Sequence, residues 1–164
     1  MPAGVSAYVA LANVTLASTA NTVTFSSISG AYRDLRVIIN GGLPSDNASF
    51  TINSDSSSTY HRNTLEADGT NIASAWNGNT YGSFANNYIL WYNSSNIVVT
   101  MDIFDYSATD KHKTILTRGN NPARSVNAVV NRWPSTSAIT SVRFNGNGSN
   151  FSIGTTFSLY GVSV

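Results

Sequence analysis

Apolar residues in this chain recur at every second position, with polar residues between them. Val23-Thr24-Phe25-Ser26 alternates, as do Phe50-Thr51-Ile52-Asn53 and Phe157-Ser158-Leu159-Tyr160-Gly161-Val162. In the run from Ile97 to Ile103, the residues Ile97, Val99, Met101 and Ile103 share one face. A period of two is the repeat of a β-strand, whose successive side chains point to opposite sides of a sheet. Leu35-Arg36-Val37-Ile38-Ile39, Val126-Asn127-Ala128-Val129 and Ile139-Thr140-Ser141-Val142-Arg143-Phe144 read the same way. The best candidate for a short helical turn is Ser135-Thr136-Ser137-Ala138, after Pro134.

Turn residues punctuate these runs. Asn40-Gly41, Asn77-Gly78, Asn145-Gly146, Asn147-Gly148 and Asp68-Gly69 are pairs that accept positive φ, as tight hairpins require. Many short strands with frequent turns predict a single all-β domain, an antiparallel sandwich or barrel of about eight to eleven strands. The stretches Ser54–Thr59 and Thr117–Ser125 read as loops. Asn71–Asn87 reads as an exposed excursion or an irregular hairpin. Residues Met1–Ala7 carry no charge and read as a short N-terminal arm.

Composition narrows the function classes. Of 164 residues, 61 are Ser, Thr or Asn, while only 10% are charged, and the formal net charge is +1. So few helix formers exclude a bundle or coiled coil. Near-neutrality, with seven scattered Arg, argues against a nucleic-acid partner, which needs a basic stripe. No apolar run reaches the ~18 residues of a membrane-spanning helix. There is no Cys, so no disulfide and no thiolate chemistry. The N-terminal residues lack the basic flank of a secretory signal, and Tyr8–Ala12 reads as a strand. The Asn-x-Ser/Thr sequons are as frequent as chance gives at this composition.

No motif for catalysis emerges. His61 near Glu66 and Asp68, and His112 near Asp110, read as surface or hydrogen-bonding residues rather than as acid–base or metal groups. Asp102, Asp105 and Asp110 are the densest acidic group. They could ligate Ca²⁺, but Lys111 and Lys113 beside them favour ion pairs. There is no nucleophile triad, no phosphate loop and no zinc signature. The chain is therefore expected not to be an enzyme, and to hold no cofactor and no metal. Trp76, Trp91 and Trp133, with Tyr81, Tyr88 and Tyr92, are candidate platforms for sugar rings. Trp91 sits in an apolar run and reads as core. Trp76 lies among Asn, Gly and Ser, which makes Trp76, Asn77 and Tyr81 the candidate carbohydrate or partner contacts.

The C-terminal segment Phe151-Ser152-Ile153-Gly154-Thr155-Thr156-Phe157-Ser158-Leu159-Tyr160-Gly161-Val162 resembles a closing pattern of small structural proteins of tailed bacteriophages, common among marine and cyanobacterial ones. In that pattern an aromatic is followed by Gly-Ser/Thr, an apolar strand and Leu-Tyr-Gly. Val23–Ile28 with Tyr32 and Leu35, and Arg132-Trp133 followed by Ala138–Val142, are similar to the same family. The resemblance spans about Val23 to Val164. It implies a jelly-roll or related sandwich on a virion and supplies no catalytic residues. Within the segment, Phe157 and Leu159 are expected in the core, Gly154 at a turn, and Gly161 at a bulge or close approach.

Two functions follow from the resemblance. The first is a capsid decoration (cement) protein that binds the assembled shell as a homotrimer. Its partners would be the major capsid protein or other virion proteins, contacted through the N-terminal arm and loops such as Asn71–Asn87. The second is a tail fibre or knob module that recognises host surface carbohydrate through Trp76 and Tyr81. A free lectin-like domain is a third reading, disfavoured by the missing Cys and signal segment. In the first two, the protein would be made in the host cytoplasm and end on the virion.

Overall fold

The computed structural model describes residues 7–42, 48–57, 59–83, 97–121 and 125–163. Among them the strands are β1 (Tyr8–Thr15), β2 (Thr22–Phe25), β3 (Asp34–Gly41), β4 (Ser49–Ile52), β5 (Tyr60–Ala67), β6 (Ile72–Asn79), β7 (Gly82–Ser83), β8 (Ile97–Phe104), β9 (Lys113–Asn121), β10 (Ser125–Trp133), β11 (Val142–Asn145) and β12 (Thr156–Val162). The alternating runs become strands because Val, Ile, Phe and Thr suit a pleated surface with one face buried. The described residues contain no helix.

The strands form two antiparallel sheets packed as a sandwich. One has the order β1-β12-β3-β8-β9-β10-β5-β6, the other β2-β11-β4-β7. Four pairs explain this order: β1 with β12, β2 with β11, β3 with β8, and β4 with β7. An antiparallel ribbon made of those pairs and rolled up gives β1-β12-β3-β8 facing β2-β11-β4-β7, which is a jelly roll. Two hairpins, β5–β6 and β9–β10, are inserted into that roll. They extend the first sheet from four strands to eight.

The core lies between the layers. Phe50, Ile52, Val142 and Phe144 of the small sheet meet Leu35, Val37, Ile39, Val99, Met101, Phe157 and Leu159 of the large one, all fully or almost fully buried. Phe144 and Phe151 both pack on Phe157, with ring centroids 5.5 Å and 5.1 Å away. Fully burying one such side chain contributes about 1.5–3 kcal/mol.

The closing strand does what its pattern suggested. Phe157 and Leu159 are core, and Gly154 turns with φ 81°. Gly161 is a close approach, because a Cβ there would overlap the Tyr32 ring. The bulge lies in β1, between Ala10 and Ala12, opposite Tyr160 and Leu159.

Three local expectations are corrected. Ser135–Ala138 forms no helical turn, because tertiary partners take its carbonyls: Lys113 Nζ donates to Thr136 O at 3.3 Å and Asn53 Nδ2 to Ala138 O at 2.8 Å. Most of Thr117–Ser125 is strand, since β9 runs to Asn121 and β10 starts at Ser125. Of Asn71–Asn87, read as an exposed excursion or irregular hairpin, Ile72–Asn79 is the regular strand β6, so Asn77-Gly78 is no turn, and residues 84–87 lie outside the described residues. The turns fall at Asp68-Gly69, which joins β5 to β6, and at Asn147-Gly148, with φ 47° and 94°.

Candidate interaction surface

The inserted hairpins invert the usual use of a strand's two faces. On β5 the buried residues are Tyr60, Thr64 and Glu66, while Leu65 points outward and is 57% exposed. On β10, Asn127, Val129, Asn131 and Trp133 point inward, and Val126 and Val130 point out. On β6, Ile72 is 80% exposed and Trp76 67%. Cross-strand register gathers these onto one surface. Leu65 lies opposite Ala128 and Ser74, Ala67 opposite Val126 and Ile72, and Asn63 opposite Val130 and Trp76. The His61 ring packs beside Trp76, centroids 5.9 Å apart. Leu65, Ile72, Trp76, Val126 and Val130 thus form a contiguous apolar patch on a protein otherwise rich in Ser, Thr and Asn. Contiguous apolar patches mark interaction sites, whereas single exposed apolar residues do not.

The other half of the same outer face combines an ion-pair network with the exposed side chains of Tyr8, Val98 and Phe104. Asp102 accepts from Arg36 Nε at 2.6 Å and from Arg118 at 2.8 Å. The Asp102 contact raises the Arg36 pKa above its ordinary value, more than desolvation lowers it. Arg36 also donates to the Tyr8 hydroxyl at 2.7 Å. Lys111 pairs with Asp105 at 3.2 Å. Two of the three Asp considered as Ca²⁺ ligands are therefore in ion pairs. Among the described residues, no group of three His, Asp or Glu could hold a metal ion.

The two edges of the eight-stranded sheet also differ. Edge strands expose unpaired backbone groups, which proteins protect with bulges, charges or Pro. β1 carries a bulge. β6 pairs with β5 in unbroken register over eight residues, Ile72 to Asn79, and contains no charged residue and no Pro. Among the described residues no strand pairs with its other side, which is a regular template bordering the apolar patch.

The platform under the patch is held by polar groups. The Asn131 side chain bonds both backbone groups of Ser83, each at 3.0 Å, tying β10 to β7 of the other sheet. Trp133 Nε1 donates to Asp55 Oδ2 at 2.8 Å, so Trp133 is core, 2% exposed, and no sugar platform. The Tyr60 hydroxyl accepts from Ile52 N at 2.9 Å and donates to Asp55 O. Burial pushes its pKa up to about 12. Lys113, fully buried, donates to the carbonyls of Ala108, Lys111 and Thr136. Burial is also what lowers its pKa.

The three singled-out residues are distributed as follows. Trp76 lies on the apolar patch. Asn77 follows it in β6 opposite Arg62, with its side chain outside the described residues. Tyr81 lines a polar cleft with Thr51, Arg143 and Asn145, over the outer face of the small sheet. Trp76 and Tyr81 therefore belong to different surfaces. Met1–Ser6 of the arm, and Trp91, Tyr88 and Tyr92, lie outside the described residues.

Sequence reasoning missed Leu65, Ile72, Val126 and Val130. Their signal was present in β10, where Val126, Ala128 and Val130 alternate with Val129 and Trp133, so both faces of one strand are apolar. No protein-family profile and no curated protein sequence matches the chain.

Proposed function

We propose that this protein is a structural component of a tailed-bacteriophage virion, a capsid decoration protein that docks on the assembled shell through the inserted hairpins. The observation that carries this reading is the apolar patch of Leu65, Ile72, Trp76, Val126 and Val130 beside the unblunted edge β6. The four strand pairs of the roll form a complete sandwich without β5, β6, β9 and β10. The inserted hairpins therefore need a further purpose, and they carry apolar side chains into solvent. A shell or neighbouring copy laid on this face would bury them and complete the β6 backbone ladder. A homotrimer around a local three-fold of the shell would let one copy cover the edge of the next. The resemblance of the closing segment to small phage structural proteins points the same way.

The test is co-sedimentation of the purified chain with shells that lack it. Wild type is expected to saturate the shells, and Ile72→Lys with Leu65→Lys to lose binding while keeping the same circular dichroism and melting temperature. Binding by the folded double variant equal to wild type would overturn the reading. A second reading, a tail fibre or knob module for host carbohydrate, is supported by the polar cleft at Tyr81.

A further inference from the structure

We propose that the cleft over the outer face of the four-stranded sheet binds an acidic sugar, a hexuronate unit of a polysaccharide. This goes beyond the docking reading and does not depend on it, since the outer faces of the two layers point away from each other.

The cleft has a volume of about 280 Å³. That is just below the roughly 300–1,000 Å³ of drug-sized ligand sites and suits a single sugar residue. Its lining consists of five Ser or Thr hydroxyls, two Asn amides, the Tyr81 phenol and the Arg143 guanidinium. Every one of these groups forms hydrogen bonds, and none is a carboxylate. Sugar hydroxyls both donate and accept, and hydroxyls and amides answer both needs. Tyr81 adds an aromatic ring with a polar tip, suited to a ligand with one apolar face.

Arg143 sets the sign of the ligand. It sits on β11, opposite Thr51 of β4, and its neighbour in the cleft Asn145 lies opposite Ser49. Its side chain is exposed, and it forms none of the ion pairs among the described residues. A guanidinium whose planar fork is free is shaped for two parallel bonds to a carboxylate. The floor is therefore rigid strand with one cation in a ring of neutral hydrogen-bonding groups.

The rim is strained as well. Ser54 lines the cleft with φ 58°, a left-handed value unfavourable for a residue other than Gly, Asn or Asp, and Asn147 lines it with φ 47°, which Asn tolerates. Asn147 is fixed there by exchange of hydrogen bonds with the Ser49 hydroxyl at 3.0 and 3.2 Å. Asn53, beside Ser54, is pinned through Ala138, Thr140 and Ser141. Strain held in place by surrounding bonds is characteristic of ligand sites.

The experiment is an NMR titration of the full chain with a glucuronate-containing tetrasaccharide, its carboxyl-reduced counterpart, and sodium acetate. The uronate is expected to shift the amides of Thr51, Arg143 and Asn145 saturably and to bind at least tenfold more tightly than the reduced sugar. Arg143→Ala should weaken it about tenfold, and Tyr81→Ala should weaken both sugars. Equal affinity for the two tetrasaccharides, acetate binding as tightly as the uronate, shifts elsewhere only, or an unaltered affinity in Arg143→Ala would each overturn the proposal.

Discussion

The Asn131 side chain treats Ser83 as a neighbouring strand would: Nδ2 donates to the Ser83 carbonyl and Oδ1 accepts from its N–H, both at 3.0 Å. With the Tyr60 hydroxyl on Ile52 N, this amide joins the inserted hairpins to the small sheet across the sandwich. Asn131 is fully buried and Ser83 nearly so, so neither partner can turn to water instead.

Replacing Asn131 by Ala should therefore cost about 1–3 kcal/mol, because the buried Ser83 N–H and carbonyl both lose the bond to this amide. Urea unfolding measures this directly. A loss below about 0.5 kcal/mol would mean that water or a shifted side chain takes over the role.

Gly161→Ala should destabilise by about 1–3 kcal/mol, the usual cost of overpacking a filled site, since its Cβ would overlap the Tyr32 ring. In a Tyr32→Ala background the same substitution should cost much less. Calorimetric melting of the four proteins gives the coupling, and purely additive losses would contradict the contact.

Tyr60 makes stability depend on alkaline pH. Its folded pKa is raised from 10.0 to about 12 by burial, so the native state favours the neutral phenol. That contribution is complete below pH 10 and is lost as pH rises towards 12. Tyr60→Phe should be less stable at pH 7, because Ile52 N–H loses its acceptor, yet its stability should fall less between pH 10 and 12. Equal slopes for both proteins in that window would count against the assignment.

Much of the roll was legible in the sequence. Val23, Phe25, Phe50, Ile52, Phe157 and Leu159 alternate with Ser, Thr or Asn, and a strand with one apolar face has one way to lie. The inserted hairpins were not legible for the same physical reason. There Thr64, Glu66, Asn127 and Asn131 face inward, Asn131 through hydrogen bonds to the Ser83 backbone, while Leu65, Val126 and Val130 face out. Alternation fixes that two faces exist, and only the partners of the polar residues decide which is inside. Trp76 was rightly read as exposed but placed in a loop, because Asn77-Gly78 has the composition of a turn. The cleft at Tyr81 draws on β4, β11 and three connections far apart in sequence, so only the fold assembles it.

Docking through the apolar patch has a salt signature. The patch carries no formal charge, so binding to shells should change less than about threefold between low and high ionic strength, because salt screens charge pairs and leaves apolar burial intact. Co-sedimentation across a salt series checks this, and a loss of binding of a hundredfold or more would point to an electrostatic interface.

The copy number of the protein in purified particles, quantified against the major capsid protein, tests the decoration account most directly. The account predicts hundreds of copies per particle, in fixed ratio to the shell. A few dozen copies or fewer would contradict it and place the protein on the tail.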